Sequence, residues 1–250
     1  MNVKETLQKT RKPPLAKTLA YLLEQGHRSY VFEDSLSLWS ESYSFYYLTL
    51  SRLLPEMSLA SRIYKAKKID EKHISIQSSI AKQYNETSKY LLLDFINFSL
   101  HTRILLDRTI SLAQYFISGG NIPSFASFNN HRKFFLLPEN TPYPSHENYA
   151  QYIREQTEWF DNLKLIRDKY IVHTQSTHSK WLDFSVNSEK KDIHLTIQLP
   201  RGSKENGALS EVKWVHIDVA EIVMCVSKFL SFFDDYAVNA IESKMKKTAT

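Results

Sequence analysis

Residues 91–112, LLLDFINFSLHTRILLDRTISL, decide the fold class. Leu91, Leu92, Leu93, Phe95, Ile96, Phe98, Leu100, Ile104, Leu105, Leu106, Ile110 and Leu112 leave hardly any side of a helix without an apolar residue. A helix of that kind belongs at the centre of a bundle, where other helices cover it. The charges inside the stretch, among them Asp94, Arg103, Asp107 and Arg108, are too many for a membrane span. Its polar members are not scattered. Asp94, Asn97, His101 and Arg108 fall within about 60° on a helical wheel. They form either a narrow solvent-facing strip or the wall of a polar groove.

Working outward, the apolar period predicts helices over 15–25, closed by Gly26, and over 34–54, capped by Asp34 and Ser35. A further helix, 56–67, follows Pro55. The central helix runs over 70–117, bent near Asn85, until Gly119-Gly120 breaks it. Residues 121–145 hold four prolines and read as a loop with one short helix near 124–136. The next helix is 146–174.

The period then changes from helical to alternating. Leu182, Phe184 and Val186, and then Ile193, Leu195, Ile197 and Leu199, alternate with polar residues around the turn-forming 187–191. A β-hairpin over 181–199 follows, with a short third strand near 212–216. A last helix spans 218–245, capped by Asp218. The expected fold is mainly α: a single domain over 1–250, built as a helical bundle. The hairpin is inserted before the last helix. Helices within 15–67 elaborate a core over about 70–245.

Composition agrees with this. Gly is scarce at 5 residues, which argues against an all-β chain rich in tight turns. Net charge is +5 and the pI about 9.0, compatible with a polyanionic partner without requiring one. The single cysteine, Cys225, excludes an internal disulfide and points to a reducing compartment. It sits in the apolar run 222–226 and reads as a small buried hydrophobe. The start of the chain has no apolar leader segment, so the expectation is a cytoplasmic protein with no membrane partner.

The residues that carry chemistry lie at the end of the 146–174 helix. Trp159, Phe160, Leu163, Ile166, Tyr170 and Ile171 form an apolar stripe, and Arg167 falls inside it. A guanidinium in such a stripe needs a reason, because an unpaired buried charge is costly by several kcal/mol. Either it pairs with a carboxylate, for which Asp94 and Asp107 are candidates, or it faces a pocket or partner. His173 follows six residues later, and Asp168 lies at the outer edge of the stripe. With 10 arginines and 9 histidines in the chain, this spacing arises by chance about once. The context therefore has to carry the reading.

That context resembles a known family. Leu165-Ile166-Arg167-Asp168-Lys169-Tyr170-Ile171-Val172-His173 is similar to the signature of HEPN-domain proteins, which place an Arg, a small polar residue and a later His at a helix end in an all-α bundle. The run Arg103–Arg108 on the central helix also resembles helical HEPN relatives. The resemblance covers about 85–245. It implies a ribonuclease that works without a metal or other cofactor. His173 would act as base on a ribose 2′-OH or as acid on the leaving oxygen, since an imidazole titrates near the working pH. Arg167 would grip the phosphate through two parallel hydrogen bonds, and Asp168 would orient one of them. Cleavage would leave a 2′,3′-cyclic phosphate.

Relatives of this kind pair so that two motifs face each other. On an ideal helix Arg167 and His173 point about 120° apart, so a homodimer would form a composite site. RNA is then the expected substrate, the biological setting a toxin or phage-defence effector, and an antitoxin a further partner. The alternatives are a HEPN-like module that binds nucleotide, RNA or protein without catalysis, and a helical interaction protein whose Arg167 is a core ion pair.

Other chemistry finds no pattern. His173 and His178 lack the Cys or carboxylate spacing of a zinc site. Gly119-Gly120 lacks the Lys-Ser/Thr of a phosphate loop. Asp234-Asp235 reads as a solvated pair. Trp159 and Phe160 either stack on bases or fill the core.

Overall fold

The apolar run at 91–112 lies within one uninterrupted helix, Ile74–Ile117. The computed structural model describes residues 8, 15, 17–18, 30–69, 74–117, 125–140, 147–167, 183–186, 195–201 and 213–248. In chain order they form α1 (Tyr30–Ile69), α2 (Ile74–Ile117), α3 (Phe128–Leu136), α4 (Glu147–Gln156), α5 (Phe160–Ile166), β1 (Asp183–Val186), β2 (Leu195–Arg201), β3 (Lys213–Asp218) and α6 (Val219–Thr248). The chain is mainly α. The three strands make an antiparallel sheet in the order β1-β2-β3, in which Val186 pairs with Leu195 and Ile197 with Ile217. The helix expected over 15–25 falls largely outside the described residues.

Two helices differ from their expected form. The stretch with Pro55 is not two helices but one, α1, with the proline inside it. Asp34 and Ser35 therefore lie within the helix rather than capping it. A proline in a helix interior removes one hydrogen bond and crowds the preceding turn, at about 3 kcal/mol. Packing outweighs that cost. Pro55 itself is exposed, while Leu50, Leu53, Leu54, Met57 and Ala60 around it are buried. Each large side chain among them contributes ~1.5–3 kcal/mol through burial. Replacing Pro55 by Ala restores the missing N–H donor at an exposed position. It is expected to raise stability by roughly 2 kcal/mol, part of the gain being offset by the freer unfolded chain. Urea unfolding of the two proteins checks this, and a lowered midpoint would show that α1 needs the proline's geometry.

The stretch 146–174 departs in the opposite sense, since two helices stand where one was expected. α4 ends at Gln156 and α5 begins at Phe160. Between them Thr157 is fully buried, and its hydroxyl donates to the carbonyl of Ile153 while accepting from Arg132 Nε at 2.9 Å. A Thr hydroxyl that takes a carbonyl of the preceding turn competes with helix continuation. Here Arg132 holds it in that role. Phe160 N–H then bonds Thr157 C=O at 3.1 Å to start the next helix.

The chain packs as two compact units. In the first (Met1–Leu7, Leu48–Leu100, Asp161–Val223), Leu50, Leu53, Leu91, Phe95, Leu163 and Ile222 are among the buried residues. In the second (Gln8–Tyr47, His101–Phe160, Met224–Thr250), the interior is aromatic. Tyr46, Phe128, Phe135, Tyr149, Phe160, Phe229 and Phe233 are all nearly or fully enclosed. Phe128 meets the rings of Phe160 and Phe229 at 4.7 and 5.1 Å.

Asp234 also belongs to this second unit, and it is not solvated. It is 3% exposed, and its carboxylate accepts the backbone N–H groups of Lys17 and Thr18 and the Thr18 hydroxyl. A buried carboxylate needs donors close by, and Lys17 and Thr18 supply them. Asp235 does face solvent, where Lys17 Nζ binds it at 2.6 Å. Cys225 is half-buried rather than enclosed. It lies at the edge of the face of α6 that buries Ile222, Val226 and Phe229.

Candidate functional site

Arg167 stands where α5 ends. Leu163 and Ile166, one turn and one residue before it, are buried and fix the helix. The Arg167 side chain is half-buried. It is not an isolated charge. Asp168 and His173, the other two residues of the motif, lie outside the described residues.

The carboxylates considered as partners for an arginine in the stripe make contacts of their own. Asp94 is buried on α2 and binds Arg52 Nη2 at 3.0 Å. Asp107 accepts the N–H of Phe128 at 2.7 Å, at the start of α3. Arg103, in the run that resembles HEPN relatives, is 4% exposed and lies over the Phe160 ring at 4.5 Å. Such a contact places a cation against the negative face of an aromatic ring. Arg103 therefore packs against the first residue of the helix that carries Arg167. Phe160 is core, fully enclosed. Trp159 is half-buried and spends its indole N–H on the carbonyl of Gln156 at 2.9 Å.

The polar strip of α2 is neither a purely solvent-facing strip nor a groove wall throughout. Asp94 is buried under Arg52, His101 stacks on Phe45 at 5.4 Å, and Arg108 is exposed. Burial holds the His101 imidazole below its ordinary range.

No family model, curated protein or solved structure matches the chain. Among the described residues, no three His, Cys, Asp or Glu side chains gather as a metal site would require. Over the same residues, no helix is long and apolar enough to cross a membrane.

Two polar constellations, each with a buried member, were not singled out from the sequence. One is Arg52, Glu56 and Asp94. The other is His131 on α3, fully buried, with Nε2 at 2.9 Å from the hydroxyl of Tyr149 on α4. Phe125 and Phe135 crowd the same imidazole, edge-on at 4.8 Å each. Burial pushes His131 down to about 3, so the ring is neutral across the physiological range. The sequence signal for both was present. Arg52 and Glu56 are spaced one helical turn apart, Asp94 interrupts an apolar run, and His131 lies one turn from Phe128, Phe134 and Phe135. The partners, however, come from other helices.

The α4–α5 junction positions the candidate arginine, and it can be tested by itself. Thr157→Val keeps the shape and removes both hydroxyl hydrogen bonds. It is expected to cost ~1–3 kcal/mol, the usual penalty where buried partners lose a hydrogen bond. Thermal unfolding measures it. An unchanged midpoint would mean that Arg132 and the Ile153 carbonyl find replacements.

Proposed function

We propose that the chain is a HEPN-like endoribonuclease that cuts RNA without a metal ion and acts as a toxin or phage-defence effector. The observation that carries this reading is the setting of Arg167. It is a half-buried guanidinium at the end of a helix whose preceding apolar residues are locked in the core.

On this reading Arg167 holds the phosphate through two parallel hydrogen bonds and neutralises charge that grows as the phosphorus is attacked. His173 removes the proton from the ribose 2′-OH. The 2′-oxygen bonds to phosphorus, the bond to the 5′-oxygen breaks, and that oxygen takes up a proton. The products are a 2′,3′-cyclic phosphate and a free 5′-OH. Asp168 orients Arg167 or the imidazole. Two copies bring their motifs together as a homodimer, an antitoxin restrains the activity, and the 181–199 hairpin is an insertion into the HEPN-like bundle.

The test is incubation of the purified full chain with mixed cellular RNA in EDTA, with the product ends read. Cyclic phosphate ends are the expected result. Intact RNA after treatment with folded protein would turn the reading to a module that binds nucleotide, RNA or protein without cutting.

A further inference from the structure

Where α1 meets α2 beneath Arg52, two carboxyl groups come together, and among the described residues one cation, Arg52, faces them. Arg52 and Glu56 are a helical turn apart on α1, and Asp94 comes from α2. Arg52 Nη2 lies 3.0 Å from Asp94 Oδ1; the arginine side chain is 65% exposed and the aspartate side chain 3%. Asp94 Oδ2 and Glu56 Oε2 are both closed off from solvent, and no protein N–H or O–H donates to either. The Glu56 carboxyl lies within hydrogen-bond reach of Asp94. With both groups ionised, two bare oxygens would face each other in a buried place, with one negative charge more than Arg52 can neutralise. With one proton between them, one carboxyl donates to the other, both bare oxygens are satisfied, and the remaining charge matches Arg52. Two carboxyl groups that face each other away from water keep a single proton for that reason.

We infer that Glu56 and Asp94 share one proton, and that this proton latches α1 to α2 and is released as the pH rises. The charged groups acting on Glu56 are Arg52 on its own helix and Asp94 on the facing one. Burial, followed by the Asp94 charge and hydrogen bond, holds the Glu56 carboxyl above its ordinary value of 4.5, against the pull of Arg52. The sign follows from linkage. A group raised in the folded state contributes stability that is complete below its unfolded value and is lost as pH climbs through the folded one. The latch is therefore tightest in mild acid and loosens toward alkaline pH.

The experiment is a carboxyl 13C NMR titration of the full chain, with the Glu56 signal assigned by its disappearance in Glu56→Gln. The expected result is a Glu56 midpoint above 4.5 in the wild type that drops toward the ordinary value in Asp94→Asn. A midpoint at or below the ordinary value would overturn the proposal. So would a raised midpoint that Asp94→Asn leaves unmoved, since burial alone would then account for it. Should Asp94→Asn fail to fold, the thermal midpoint of Glu56→Gln decides. Its amide donates permanently to Asp94, so it is expected to match the wild type near about pH 5 and exceed it near about pH 9. A deficit at both would overturn the shared proton.

Discussion

His173→Ala is expected to lower RNA cleavage by about 10²–10⁴-fold while leaving the fold intact, the range lost when a positioned general base is removed. Arg167→Ala is expected to lower it by about 10²–10³-fold, as for removal of one donor that stabilises transition-state charge. The two should not add. Groups that act as a unit on one transition state give a double variant scarcely worse than the poorer single one. Arg167→Lys is the discriminating variant. It keeps the positive charge and loses the planar fork that grips a phosphate with two bonds, so most of the activity should go with it. Initial rates on a defined RNA, together with circular dichroism of each variant, check the set. Two outcomes would sink the assignment: full activity in His173→Ala, or a loss in Arg167→Ala that follows unfolding of the protein. In the second case the arginine would be a packing residue of α5, its half-buried setting explained by stability alone.

How much of this was legible in the sequence depends on whether a feature is local. The apolar wrap of 91–112 is local, and it announced both a helix and its place in the core. Leu91, Phe95, Phe98, Leu105 and Leu106 are all buried, whereas Leu93 and Ile104 of the same run face solvent, so the wrap is not complete. Pro55 misled because its helix-breaking cost is local while the compensation is not. The burial of Leu50, Leu53 and Leu54 comes from packing that a propensity cannot register. The break at Thr157 was hidden for a similar reason. A threonine in a helical stretch is unremarkable until Arg132, 25 residues upstream, binds its hydroxyl. Asp234 looked solvated beside Asp235. Its acceptors' partners are Lys17 and Thr18, more than two hundred residues away in the chain.

The candidate site divides in the same way. Arg167 was legible as an anomaly, a charge within an apolar stripe. Its surroundings, which depend on packing, were not. Asp94 seemed a natural partner on the wheel, yet it is held by Arg52, which one turn of α1 sets beside Glu56. Ion pairs between helices follow from relative rotation and register. A single sequence without its packing does not encode those in any short pattern.

The largest effect expected on stability belongs to His131. It is enclosed by Phe125, Phe135 and Tyr149, and burial pushes it from 6.5 down to about 3. In the unfolded chain it takes a proton near 6.5; in the folded one it resists until about 3. Between those limits the unfolded state binds more protons, so stability falls as pH falls, by at most about 1.4 kcal/mol per pH unit. From pH 6.5 to about 4.5 the group alone should remove roughly 2–3 kcal/mol, a large share of the ~5–15 kcal/mol typical of a folded domain. His101, also lowered by burial, adds in the same direction. The control has to remove His131 without stranding the Tyr149 hydroxyl, which is hydrogen-bonded to that imidazole. His131→Phe alone leaves a buried hydroxyl unsatisfied and costs ~1–3 kcal/mol at every pH. His131→Phe with Tyr149→Phe removes both polar groups and keeps both rings. Urea unfolding from about pH 7 to about pH 4.5 should show the double variant losing stability less steeply than the wild type. The difference in slope should approach 1.4 kcal/mol per unit. Parallel profiles would mean that the imidazole takes its proton inside the folded protein, and that the aromatic cage opens to let it.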